Sequence, residues 1–330
     1  MAQDKVKITA VSGNVEIKLN GQNNWNRVLR PRTLNLGDVL RRQQGSTITI
    51  DCGNQTSGFL PANGQQKGLD DICPGLRPPM NLDISAIPDI ISPRSSRILT
   101  NQPLLRWYAP TNANSFKVSI IGEELNWTTE VSREQVCQGD IAELVYPGKP
   151  PLQPGVSYKL IIETDIGKSS EEISVPELGF KLIDQQTAIK VQKNIQEIEQ
   201  QNLPARDKAL KLADIYSENL LFPEAIATLT ALVPKEKNPT VLRQLGDLYR
   251  WIELPLKAQK QYQEAVTTAE AVQNQSELAA AQEGLGKVSL TLHKKEEAQR
   301  WLEAAKATYA ELGNTDRVSY LKQRLNEVAE

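Results

Sequence analysis

The stretch 241–265, VLRQLGDLYRWIELPLKAQKQYQEA, limits what this chain can fold into more than any other part of it. Leu245, Gly246, Tyr249, Ala258, Tyr262 and Ala265 fall where two antiparallel helices need small and large residues in alternation. Gly246 and Ala258 lack bulk where two helix backbones come closest, and Tyr249 and Tyr262 fill the wider gaps beside them. A hairpin of this kind cannot bury its apolar face alone and has to stack on copies of itself. Copies are present. Leu212-Ala213 is followed by Tyr216, Ala225, Leu229 and Leu232, and Leu285-Gly286 by Ala298, Leu302 and Ala305, with Ser289 in place of the aromatic.

This multi-position pattern resembles the tetratricopeptide repeat. From Lys181 onward the apolar period is about 3.6, so the chain is expected to be helical to its end. A leading helix is expected over 187–201 and a capping helix over 316–328, after Gly313-Asn314. Pro223 and Pro255 each sit in the first turn of a second helix, where a missing amide proton costs nothing. The second and third copies lie further apart than the family's repeat of about 34 residues, which requires longer helices or a longer connection. In such stacks the first helices line a concave groove. The resemblance therefore implies that Asp214, Ser217, Arg243, Asp247, Arg250, Trp251, Glu283 and Lys287 face it and hold a protein or peptide partner. The lysine and asparagine clamp with which some members grip a terminal carboxylate is not reproduced.

The amino-terminal segment alternates with the two-residue period of strands at 6–9, 15–19 and 47–50, punctuated by Gly, Asn and Pro. Gly13-x-Val15, Trp25, Leu34, Gly37-Asp38-Val39-Leu40 and the strand ending at Asp51 are similar to a FecR-type domain. That resemblance implies a place outside the cytoplasm. It leaves a regulatory role as the alternative, although the membrane span and anti-sigma segment of those regulators are not in this sequence. Cys52 and Cys73 bracket a loop rich in Gly, Asn and Gln. A disulfide between them would stabilise by about 3 kcal/mol; the other reading is two unrelated buried thiols. Arg30, Arg32, Arg41 and Arg42 form a basic cluster that reads as a solvated face. Proline density over 79–100 suggests an extended spacer.

Further on, 103–107, 116–121, a segment around Trp127 and 158–163 read as strands of a sandwich. Leu152-x-Pro154-Gly155-x-x-Tyr158 and Trp107 resemble a fibronectin type III domain, which implies a buried leucine and a tyrosine hydroxyl capping a turn. Cys137 is expected to be a free thiol.

With 330 residues, two or three domains are expected. The fold expected is two small antiparallel β-sandwich-like domains (1–78 and 101–178, joined by a linker over 79–100), then an all-α tetratricopeptide solenoid over 179–330. A formal net charge of −2 and the lack of a basic run argue against nucleic acid as a partner. No apolar segment reaches the roughly 20 residues of a membrane span. The amino terminus lacks the apolar core of a secretory signal, though it suits a mature exported protein whose signal has been removed; a cytoplasmic start fits the same letters. The single histidine, His293, falls in a turn, and no nucleophile constellation, phosphate loop or HExxH pattern surrounds it. The acidic pairs at 70–71, 123–124, 171–172 and 296–297 read as solvated faces, with a hydrolase built on two distant carboxylates the remotest alternative. No metal site and no cofactor are expected. The functional expectation is a non-enzymatic scaffold or adaptor of the bacterial envelope, periplasmic or extracellular.

Overall fold

A computed structural model describes residues 6–19, 24–34, 38–43, 45–51, 57–58, 67–68, 72, 87–172, 179–234 and 236–329. Small, mostly antiparallel β-sheets come first and an array of paired helices follows. The chain divides into two compact units, Met1–Met80 with Ala269–Glu330, and Asn81–Thr268.

In the first unit, strands β1 (Lys7–Ser12), β2 (Val15–Lys18), β3 (Asn26–Arg27), β4 (Arg32–Thr33), β5 (Val39–Arg42), β6 (Thr47–Asp51), β7 (Ser57–Gly58) and β8 (Lys67–Gly68) make two four-stranded sheets, ordered β4-β1-β6-β7 and β3-β2-β5-β8. Alternate apolar residues point inward, so Ile8, Val15, Ile17, Leu40 and Ile50 form the core with Val28, Leu34 and Ile72. Gly13 is required where it stands: its φ is +83°, and a Cβ there would lie 2.8 Å from the Ser46 hydroxyl. That hydroxyl accepts the Asn14 N–H at 2.8 Å and holds the turn between β1 and β2. The basic cluster divides. Arg30 and Arg32 are exposed, whereas Arg41 pairs with Glu16 at 2.9 Å and lies 4.1 Å over the Trp25 ring. Gly37, Asp70, Asp71 and the proposed Cys52–Cys73 bridge lie outside the described residues.

The second unit begins with a sandwich. Its strands are β9 (Asp89–Ser92), β10 (Ser96–Ile98), β11 (Leu104–Tyr108), β12 (Ser115–Ile121), β13 (Asn126–Ser132), β14 (Cys137–Gln138), β15 (Ile141–Val145), β16 (Ser157–Thr164) and β17 (Phe180–Leu182), with a short helix α1 (Arg133–Val136) before β14. The sheets run β10-β17-β16-β12-β13 and β14-β15-β11-β9. Between them Trp107, Phe116, Tyr146, Leu160 and Phe180 are buried. Leu152 is buried too, and the Tyr158 hydroxyl accepts the Gln153 N–H at 2.6 Å. Cys137 is unbonded and half-buried.

Structure and sequence reading differ at two places. β17 falls within 179–330, expected to be helical throughout, and instead completes the sandwich between β10 and β16. The other is the expected spacer over 79–100. β9 and β10 fall inside it, with Ile90, Ile91 and Ile98 buried. Proline excludes a residue from a central ladder but not from edges and strand ends. β9 and β10 are edge strands, and Pro93 falls in the break between them.

The helices are α2 (Gln185–Glu199), α3 (Ala205–Glu218), α4 (Phe222–Thr230), α5 (Pro239–Trp251), α6 (Pro255–Ala271), α7 (Gln275–Thr291), α8 (Lys295–Glu311) and α9 (Thr315–Ala329). The wide spacing of the second and third copies comes from helix length: α6, α7 and α8 are 17 residues each, against 13 in α5, while only 272–274 separate α6 from α7. One device closes the tight turns. Leu220, Glu253, Gln273, His293 and Gly313 all have positive φ, and each following N–H reaches back to the preceding helix: Leu221 to Tyr216, Leu254 to Tyr249, Asn274 to Ala269, Lys294 to Ser289, Asn314 to Tyr309, at 2.8–2.9 Å. His293 is therefore a left-handed helix cap.

Within Asn81–Thr268 the sandwich is fixed to the helices. Arg94, with a fully buried side chain, donates to Asp89 at 2.5 Å, to the Ile90 carbonyl at 2.8 Å and to the Glu253 carbonyl at 3.2 Å. The Arg97 N–H donates to the Leu220 carbonyl and the Leu99 N–H to the Glu224 carboxylate, both at 2.8 Å. Leu99 joins an apolar cluster with Ile183, Val191, Ile195 and Leu221.

Candidate functional site

The groove residues separate by unit. In Asn81–Thr268 the hairpin α5–α6 places Gly246 against Tyr262, whose ring carbon would lie 2.6 Å from an added Cβ. Tyr262 thus fills the close approach itself, not the wider gap beside it. The ring can press flat on the glycine, and its buried hydroxyl donates to Asp247 at 2.6 Å. Asp247 also accepts from Arg243 at 2.5 Å, one helical turn earlier. Burial raises the Tyr262 hydroxyl pKa well above its ordinary value, so it stays a donor. Asp214, exposed on α3, accepts from Gln244 at 3.4 Å. Its pKa is raised by desolvation and by Glu218, against the lowering pull of Arg243.

Three expected groove residues are used internally. The Ser217 hydroxyl donates to the Ala213 carbonyl of its own helix at 2.6 Å. Trp251 stacks on Phe222, with ring centroids 6.4 Å apart and planes 15° apart, and Arg250 lies 5.8 Å from the Trp251 centroid. Trp251 therefore contributes to the packing of α5 on the preceding hairpin. The third is in the other unit. Glu283 on α7 is 4% exposed and accepts from Lys287 at 3.1 Å and Arg317 at 3.2 Å. It is the buried centre of an ion-pair cluster, so it cannot be a contact surface as expected. Lys287, Arg317 and Arg324 surround the Tyr320 ring at 5.8–5.9 Å. Burial, then Glu283, pushes the Tyr309 hydroxyl pKa up.

The sequence reading missed Arg317 and the Tyr262 hydroxyl as parts of these networks. Both lie off the first helices of the three repeats, in the capping helix and in a second helix. The signal available for Tyr262 was its position beside a glycine. No group of three or more His, Cys, Asp or Glu able to hold a metal occurs among the described residues. No helix among them is long and apolar enough to cross a membrane.

The likeness to known proteins lies in the C-terminal helical region. The crystal structure of BtubC (BKLC) from P. vanneervenii is 12% identical, with a TM-score of 0.32, over 44% of this chain and 72% of that one. The crystal structure of MamA is 21% identical, with a TM-score of 0.26, over 42% and 85%. Similarity this low carries no argument about function, and the tetratricopeptide-like character rests on the hairpins described above. No protein-family model matches the chain, and no curated protein matches it. The FecR-like and fibronectin-like resemblances rest on their sequence motifs.

Proposed function

We propose that this chain is a non-enzymatic interaction module whose helical array holds a protein partner on the face of its first helices. The observation that supports this most is the α5 surface, where Arg243 and Asp247 keep 21% and 39% of their side chains exposed while Tyr262 and their own ion pair hold them in place. Charged groups oriented in advance lose little entropy on binding, which is what a recognition surface requires. Arg250 and Trp251 act in this reading as support for that surface, since Trp251 is packed on Phe222.

The test is site-specific photo-crosslinking in cells that make the protein. A benzoylphenylalanine at Arg243 or Asp214 is expected to give one partner adduct, and the same group at exposed Lys260 on the second helix none. Adducts arising only from the sandwich, for instance from exposed Thr128, would move the function to the β-domains.

The same reading places the protein outside the cytoplasm, on the strength of the FecR-like motif and the Cys52 and Cys73 pair in the sequence. Peptide mapping without reductant is expected to return a linked Cys52–Cys73 peptide and a Cys137 thiol. Three reactive thiols in material from an oxidising compartment remove that part of the proposal.

A further inference from the structure

A sheet edge is where another chain can join a β-protein, and here nearly every edge is short. The outer strands β3, β4, β7, β8 and β14 are two residues long, β10 is three, and β9 is four with a break in its register against β11. β13 is the exception among the described sheets. It runs seven residues, Asn126–Ser132, in unbroken register with β12, and contains no proline, glycine or lysine. The Gly122 N–H donates to the Leu125 carbonyl and the Arg133 N–H to the Asn114 carbonyl, both at 2.8 Å and both continuing that register. Odd-numbered residues of β13 therefore bond to β12, and Asn126, Thr128 and Glu130 aim their backbone N–H and C=O groups away from the sheet. All three residues are exposed.

Trp127 and Val131 turn inward, where both pack against the sandwich core. An antiparallel copy of β13 centred on Thr129 sets Trp127 beside the partner's Val131, so the apolar seam continues across the junction. In the same register Thr128 and the partner's Glu130 face each other as a hydrogen-bonded pair, and no glutamate faces a glutamate. A centre at Glu130 would oppose like charges, and a centre at Thr128 would leave Val131 and Ser132 opposite the turn that precedes β13. The Ser119 and Thr128 hydroxyls lie 3.0 Å apart; with Ser119 as donor, Thr128 keeps its own proton for the partner's Glu130 carboxylate. We propose that β13 is a homodimerisation edge, pairing antiparallel with β13 of a second copy of this chain about a two-fold axis at Thr129. A strand that complements itself in both burial and charge selects a copy of itself over a foreign segment. This inference is independent of the helix-face reading above.

The experiment is sedimentation equilibrium of the full chain from about 5 to about 500 μM. A single strand edge is a small interface, so the dimer is expected to be weak, with Kd about 10–100 μM. Thr128→Lys sets a cation opposite the partner's Glu130 and should tighten the dimer about threefold, whereas Thr128→Glu opposes like charges there and should weaken it about tenfold. Opposite shifts from one position are the signature of this register. Thr128→Pro removes an outward N–H without touching the β12 ladder and should leave only monomer. A parent that stays monomeric at about 500 μM, equal shifts from Thr128→Lys and Thr128→Glu, or a dimer that persists in folded Thr128→Pro would overturn the proposal. In the crosslinking experiment above, benzoylphenylalanine at Thr128 is expected to join two copies of this chain, which leaves the helix-face reading as it stands. An adduct of Thr128 with a different protein and none with itself would overturn the assignment of a second copy, while crosslinks from Arg243 test the helix face alone.

Discussion

The hairpins α5–α6 and α7–α8 follow one repeat frame and are held by different physics. Beneath Gly246 lies an aromatic ring, Tyr262; beneath Gly286, at the equivalent position, lies the aliphatic Leu302, 2.5 Å from where a Cβ would be. The ion pairs one turn apart are reversed. Arg243 precedes Asp247 in the first, and Glu283 precedes Lys287 in the second. The first pair is fixed by a tyrosine hydroxyl and stays partly in water, whereas in the second Glu283 is buried under Arg317. A repeat frame therefore fixes where bulk must be absent and leaves open what fills the space and which sign of charge surrounds it.

Filling the glycine is the most damaging way to test the comparison. Gly246→Leu should cost about 3 kcal/mol, because the Tyr262 ring is rigid and fully buried, and Gly286→Leu about 2 kcal/mol, because Leu302 can change rotamer. Urea melts of both variants check the order, and equal losses would show that the filler does not matter.

A smaller effect separates the hairpins by pH. Lys257 on α6 has its pKa lowered to about 8, first by burial and then by Arg106 and Lys260. The equivalent residue of α8, Glu297, instead pairs with Lys294 at 3.7 Å. A lysine that loses its proton more readily when folded opposes folding fully below pH 8. That opposition disappears as pH rises from about 8 towards the unfolded value near 10.5, so its contribution makes stability rise across this window. Lys257→Met should remove the rise and add about 2 kcal/mol at pH 7. A parent whose stability is flat between pH 8 and 10, measured by chemical denaturation, contradicts this.

Removing the hydroxyl that joins ring to ion pair sharpens the contrast further. Tyr262→Phe should cost about 1.5 kcal/mol and leave the ring packing intact. Its melting curve, compared with that of an Asp247→Asn variant and of the double change, should show strong non-additivity. Additive losses would mean that the two groups do not interact.

The smallest expected effect concerns the turns, which the hairpins share. His293→Gly should stabilise by about 1 kcal/mol, since glycine adopts the left-handed cap without strain. A loss of stability would show that the imidazole has a contact that outweighs the backbone strain.

Helix identity, the repeat frame and the strand alternation in 6–9, 15–19 and 47–50 were legible because each depends on periodicity, which a linear sequence carries. The prolines at 223 and 255 marked helix starts for a local reason. What escaped was set by distant partners. The left-handed caps at Leu220, Glu253, Gln273 and His293 carry no glycine signal and are held by hydrogen bonds back to the preceding helix. Strands β9 and β10 were obscured by proline and become strands because the sandwich offers them edges. Glu283 looked like any helix-surface acid until Arg317, far along the chain, was placed over it.

The sequence by itself determined that this chain is a set of β-sheets followed by stacked helical hairpins, and which positions in those hairpins must stay small. Only the tertiary structure decided which charges are buried or exposed and which tyrosine donates to which carboxylate. The reason is range: periodicity and steric fit repeat along the backbone, while desolvation and ion pairing depend on groups brought together from distant parts of the chain.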